Sequence, residues 1–139
     1  MKKITLSLLA VAFMCAFSGC TKEQTTLNIL HGTWKLTGEL DEDGLPVVRS
    51  CTQEEIVTFF LCQDKNQDDC TTSTKVTRTC TTGGTTVTTI SAGASNYAVY
   101  GKELLVWDGA SYEIESISKK EFKIHPVSQP KATHTYEKQ

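Results

Sequence analysis

The chain has 139 residues, with 14 basic and 16 acidic side chains and a formal net charge of −2. That length supports one hydrophobic core and is short for two. The slight acidity excludes the basic footprint of a nucleic-acid binder and an electrostatic grip on anionic lipid.

Met1 to Phe17 has the parts of an export signal. Lys2 and Lys3 form a positive start, and Ile4 to Phe17 is apolar apart from Thr5 and Ser7. This run is shorter than the roughly 20 residues that span a bilayer as a helix. Phe17-Ser18-Gly19-Cys20 follows and resembles the lipobox of bacterial lipoproteins, with Phe17 in place of the commoner leucine. Small residues before the cysteine admit the chain to a narrow protease site, and the thiol takes diacylglycerol as a thioether. The resemblance implies that residues 1–19 are a signal peptide that is removed. It implies a lipid on Cys20 with three acyl chains, palmitate among them. The address is then the bacterial cell envelope, anchored in the outer membrane at its periplasmic face or at the cell surface. The alternatives are an ordinary signal peptide, with Cys20 in a disulfide, and an uncleaved membrane anchor. Without residues 1–19 the chain keeps 12 basic and 16 acidic side chains, a net of −4. No polybasic second membrane signal is present, and three acyl chains need none at about 0.8 kcal/mol per buried CH₂. Residues 20–26 read as a lipidated tether, because Thr21 to Thr26 contains no apolar residue.

Residues 27–139 form the domain. Thr26 to Gly32 reads as one short helical turn, with Thr26 as its cap and Gly32 able to end it in the left-handed region. Trp34 to Leu40 alternates, with 34, 36 and 40 apolar, which predicts a strand with one buried face. Asp41-Glu42-Asp43-Gly44 is a turn. Glu55 to Leu61 is a β-branched and aromatic strand, Gln63 to Asp69 a charged loop, and Thr71 to Cys80 a threonine-rich strand. Gly83-Gly84 is a turn, Thr85 to Ile90 a strand, and Ser91 to Asn96 a loop of small residues. Four more runs follow between tight turns: 97–100, 103–107, 112–117 and 121–127. Thr133 to Tyr136 closes the chain. About nine short runs predict an all-β fold, a single antiparallel barrel or curled meander with one short N-terminal helical turn.

The helical turn followed by Leu30-His31-Gly32-Thr33-Trp34-Lys35-Leu36 resembles the opening of lipocalin-like domains of bacterial lipoproteins. A cysteine before a Phe-bearing strand (Cys51, Phe59), the Tyr97–Leu104 hairpin, Tyr112-x-Ile-x-x-Ile-Ser118 and Phe122-x-Ile124 continue the resemblance in order. It covers Leu27 to Tyr136. The extra Cys62/Cys70 pair and the Thr-rich middle depart from it. The resemblance implies that Trp34 plugs one barrel end. The expected inward face is Trp34, Leu36, Val57, Phe59, Leu61, Val99, Leu105, Trp107, Ile114, Phe122 and Ile124. Such large side chains leave a mostly filled interior with a shallow mouth.

Cys51, Cys62, Cys70 and Cys80 are an even set in an oxidising compartment. An antiparallel hairpin centred on Asn66 places Cys62 opposite Cys70 and Cys51 opposite Cys80, so nested disulfides fit one register. A zinc site is the alternative, and the spacing contains no Cys-x₂-Cys knuckle. Asp64 to Asp69 begins like a calcium loop, but Asp69 stands where glycine and Lys75 where glutamate belong. His31, His125 and His134 share no metal-binding spacing; His125 and His134 read as polar residues of the outer face, with a pair facing each other across the last hairpin as the alternative. Glu113 and Glu115 share one strand face, turned to water. The Thr runs are solvent-facing strand residues. No catalytic, metal or cofactor motif emerges. The expected function is non-enzymatic: an anchored lipoprotein binding a small apolar ligand or a partner protein. The alternative is a solid barrel that docks another envelope protein.

Overall fold

A computed structural model describes residues 21–62 and 66–139. The signal, Cys20 and the start of the calcium-like loop at Asp64 lie outside these residues.

The helix starts earlier than the turn expected at Thr26. Helix α1 spans Lys22–Leu30, capped by Thr21, whose hydroxyl accepts the Gln24 N–H at 3.2 Å. Residues 22–26, expected as tether, are therefore its first turns. Thr26 is not the cap: it is buried and donates its hydroxyl to the Lys22 carbonyl at 3.2 Å. Leu27 and Leu30 bury against the barrel end. The Glu23 carboxylate accepts the Gly101 N–H at 2.9 Å, tying α1 to the turn after β4. Hydrogen bonds from its own backbone amide and from that of Gly101 hold Glu23 below the usual carboxylate range.

Eight strands follow: β1 Gly32–Leu40, β2 Thr52–Phe59, β3 Thr71–Thr82, β4 Thr85–Tyr100, β5 Leu104–Trp107, β6 Ala110–Ile117, β7 Glu121–Pro126 and β8 Thr133–Lys138. Each pairs antiparallel with the next, and β8 returns to β1, so the barrel closes. The count is eight because Ser91–Asn96 is strand rather than loop. Each of those residues faces a residue of β3, from Val76 to Thr71, which holds the small side chains extended.

Alternation decides which side chains meet inside. Trp34, Val57, Phe59, Val99, Leu105, Trp107, Ile114, Phe122 and Ile124 are buried, and Leu36 packs partly against them. Leu61 is a correction. Strand β2 ends at Phe59, the chain leaves the ladder at Phe60, and Leu61 is exposed. Leu40 is another. A bulge between Leu36 and Gly38 leaves Thr37 without an opposite residue, so Glu39 turns in and Leu40 turns out. A second bulge at Glu115 lets both Ile114 and Ile117 face inward despite their odd spacing.

Both expected disulfides form: Cys51–Cys80 continues the β2–β3 register, whereas Cys62–Cys70 joins residues just beyond it, where the chain has left the ladder. Cys51–Cys80 and Cys62–Cys70 have Cα atoms 4.6 and 4.8 Å apart, the close spacing of non-hydrogen-bonded antiparallel pairs. The loop tip between the inner pair folds back onto the barrel. The Gln67 amide nitrogen donates to the Val99 carbonyl at 2.8 Å, and its oxygen accepts the Val99 N–H at 2.6 Å.

Candidate functional site at the barrel mouth

One end of the barrel is solid. Trp34 plugs it, donating its indole N–H to the Leu30 carbonyl at 2.6 Å. Lys138 crosses the ring with its ammonium 4.4 Å from the centroid and donates to the His31 carbonyl. Phe122 meets Trp34 edge-on at 4.8 Å and stacks on Tyr136 at 4.7 Å. Phe59 lies between Phe122 and Trp107, at 6.0 and 5.2 Å. Of the expected interior set, Trp34, Phe59, Leu105, Ile114 and Phe122 fill space.

The other end is open. A cavity of about 320 Å³ sits there, and two others of the expected interior set, Leu36 and Trp107, line it. Tyr136 and Tyr112 add aromatic surface, while Thr74, Gly93, Ala94 and Ser95 form the β3–β4 wall. Small residues on that wall leave the room that aromatic rings occupy lower down. The Trp107 indole N–H points to this wall, with the hydroxyl oxygens of Thr72 and Ser95 at 3.1 and 3.2 Å as acceptors.

Four titratable side chains complete the lining: Glu39, Glu55, Asp108 and His134. The sequence pattern placed none of them in the mouth, and put His134 on the outer face. Glu39 arrives through the β1 bulge and is paired with Arg49 at 2.5 Å. Glu55 stands on β2, two residues before Val57 on the same face, and accepts the Tyr136 hydroxyl at 2.9 Å. Among the described residues Glu55 makes no ion pair. A carboxylate accepts more than one hydrogen bond, so Glu55 keeps acceptor capacity toward the cavity. Burial, then the Glu55 charge, pushes the Tyr136 hydroxyl well above the ordinary phenol range. Burial, then the charges of Asp108 and Glu55, raises Tyr112 as well.

The two histidines do not meet. Strand β8 sets His134 opposite Ile124, hence inward, whereas His125 lies on the outer face 3.3 Å from Glu113. The outer-face expectation holds for His125 and fails for His134, and the alternative of a facing pair fails because the residues have opposite parity in the β7–β8 register. Glu113 points outward as expected, and Glu115 occupies the bulge. The threonine ladder does face out over much of the ribbon, with hydroxyls of Thr79 and Thr88 at 3.2 Å and of Thr81 and Thr86 at 3.0 Å. Among the described residues, Cys62, Asp69 and Cys70 bring metal-ligating atom types within 4.8 Å, but both sulfurs are bound in the disulfide and offer no thiolate.

No protein-family model matches the chain, and no curated protein sequence matches it. A solved structure does: Japanin from the tick Rhipicephalus appendiculatus, bound to cholesterol, at a TM-score of 0.51 and 12% identity. The match covers 76% of this chain and 72% of that one. The fold is a lipocalin-like barrel. At that identity the likeness concerns the backbone, and the lipocalin-like course expected from Gly32-Thr33-Trp34 onward is the one the chain takes.

Proposed function

We infer that this barrel binds a small amphiphilic molecule in its open mouth. The carrying observation is the cavity between Trp107, Tyr112 and Tyr136, with Glu55 on its wall. Its volume lies at the small end of ligand pockets, which run from about 300 to 1,000 Å³. The aromatic faces suit an apolar body. The Glu55 carboxylate suits a hydrogen-bond donor or a cationic group, which aromatic faces also attract. The ligand is thus more polar at one end than the purely apolar molecule expected from the sequence. Cholesterol in the tick barrel supports the reading that this architecture accommodates small hydrophobic bodies.

The setting belongs to the same proposal. The chain is a non-enzymatic lipoprotein of the bacterial envelope, anchored through Cys20, with the barrel as its binding module. The lipobox and the even set of disulfide cysteines support this reading. Membrane fractionation of Cys20→Ser tests the anchor: release into the soluble fraction is expected, and unchanged membrane retention overturns it.

Trp107 reports on the cavity directly. Titration with aryl- and alkylammonium compounds, against neutral compounds of the same shape, should change its fluorescence saturably. Glu55→Gln should weaken the ammonium series about tenfold or more, the scale of one charge-assisted hydrogen bond, and spare the neutral series. No saturable response from either series would sink the mouth as the binding site.

A further inference from the structure

Strand β4 is longer on one side than its neighbour. β3 pairs with it from Thr85 to Asn96, whereas β5 pairs only with Tyr97–Tyr100. Among the described residues, Thr85 to Ser95 border no strand on the β5 side. The backbone groups left over can be named. The Tyr97 N–H donates to the Cys70 carbonyl on the β3 side, and the Asn96 carbonyl accepts from the Asp108 N–H on the β5 side. Alternation then directs the N–H and C=O groups of Thr86, Thr88, Ile90, Ala92 and Ala94 toward the open edge.

This edge lacks the protection that sheet edges ordinarily carry. No charged residue and no proline occurs between Arg78 and Lys102, and the β3–β4 register runs without a bulge. Val87 and Ile90 are 56% and 63% exposed. The paired hydroxyls of Thr79 with Thr88 and Thr81 with Thr86 brace the ribbon from its outer face.

We propose that this edge is a homodimer interface, with β4 pairing antiparallel to β4 of a second copy across a twofold axis at Ile90. The strip is self-complementary. Centred on Ile90, Thr86 meets Ala94, Thr88 meets Ala92, and Ile90 meets its own equivalent, so every open backbone group finds a partner. On the opposite face Val87 meets Gly93, which sets a larger side chain against none. A centre two residues later would send the pairing into the Asn96 carbonyl that Asp108 already uses. Charge points the same way. The chain is net acidic, whereas here two identical neutral strips meet without like charges. A charged partner would find nothing complementary on the strip. The interface is small beside the roughly 20–30 residues a side of a standard one. The dimer is therefore weak and favoured where copies are concentrated.

The test is sedimentation of the full chain carrying Cys20→Ser, from micromolar to millimolar concentration. A monomer–dimer equilibrium is expected. Ile90→Lys and Ile90→Glu should each weaken it about tenfold or more by facing like charges across the axis. Mixing the two variants should restore the dimer as a heterodimer. Ala92→Pro should also give monomers, because it removes an N–H on the open edge and none in the β3 ladder. Circular dichroism checks that each variant keeps the barrel. A monomer at every concentration overturns the proposal. So does a dimer that survives both Ile90→Lys and Ala92→Pro, a mixture of the charge variants that stays monomeric, or open-ended assembly.

Discussion

Removing the outer disulfide, by Cys51→Ser with Cys80→Ser, isolates one term of the stability. The bridge closes a sequence separation of 29 residues around an inner bridge with a separation of 8. With the inner bridge intact, the chain between the outer cysteines is shortcut to about 22 effective residues. Loop-closure entropy for that length corresponds to about 3.4 kcal/mol at room temperature, and the shorter inner loop to about 2.5 kcal/mol. Cys51 and Cys80 are half-buried, so little packing is lost with them, whereas Cys62 and Cys70 are buried and their removal adds a packing cost. The outer bridge is thus the cleaner probe. Against a typical stability of about 5–15 kcal/mol, the loss is large but leaves a folded majority. Guanidinium unfolding followed by circular dichroism should give a stability lower by about 3 kcal/mol, with a steeper denaturant dependence because the unfolded chain expands more. A loss under about 1 kcal/mol would refute the reasoning. It would mean that the hairpin stays ordered in the unfolded ensemble without its staple.

Three further outcomes follow from the packing. Gly32 has φ +123°, and a Cβ there would meet the Lys138 side chain at 2.7 Å, so Gly32→Ala should cost about 1–3 kcal/mol in thermal unfolding, mainly from backbone strain because Lys138 can move. Phe122→Ala empties the space between Trp34, Phe59 and Tyr136 and should cost about 3–5 kcal/mol by denaturant titration. Stability should also fall in alkali. Burial, then the Asp69 charge, pushes the Tyr97 hydroxyl up to about 12 from an ordinary 10.0, and Tyr136 is raised too. Between those pH values the unfolded phenols lose protons that the folded ones keep, so the unfolded state binds fewer protons and stability declines as pH rises. The slope is about 1.4 kcal/mol per pH unit for each group. Tyrosinate absorbance against pH, alongside a stability series, checks this; ionisation of both phenols near pH 10 in the folded protein would contradict it.

The strand order and both disulfides were legible because turn residues and hairpin parity carry them. Gly83-Gly84, Gly101 and Asp108-Gly109 mark the reversals with positive φ, Cys51 and Cys80 continue the β2–β3 register, and Cys62 and Cys70 close the loop within one residue of it. The helix start was legible too, in Thr21-x-x-Gln24, but the polar composition of residues 22–26 suggested a tether instead. Ser91 to Asn96 looked like a loop because small residues have weak strand preference, and only the partner β3 makes them a strand. The mouth was the least legible part. Glu39 fell among the polar positions of its strand, since a bulge changes parity without an evident signature at Thr37-Gly38, and Glu55, although it shares the parity of Val57 and Phe59, was not singled out because an acidic residue inside a barrel defies the usual pattern. Spacing did hint at the other bulge, in the two residues between Ile114 and Ile117. What the sequence displays is thus the solid end of the barrel, while the binding end depends on the register that folding creates.

The central claim is that the open mouth holds a small amphiphile. Native mass spectrometry of the protein purified in mild detergent from its own host tests it most directly. The account predicts an added small-molecule mass on the wild-type chain, with its occupancy much reduced in Glu55→Gln at equal folding. A chain that carries no such mass, or one whose bound molecule is unaffected by changes at Glu55 and at Trp107, would contradict it.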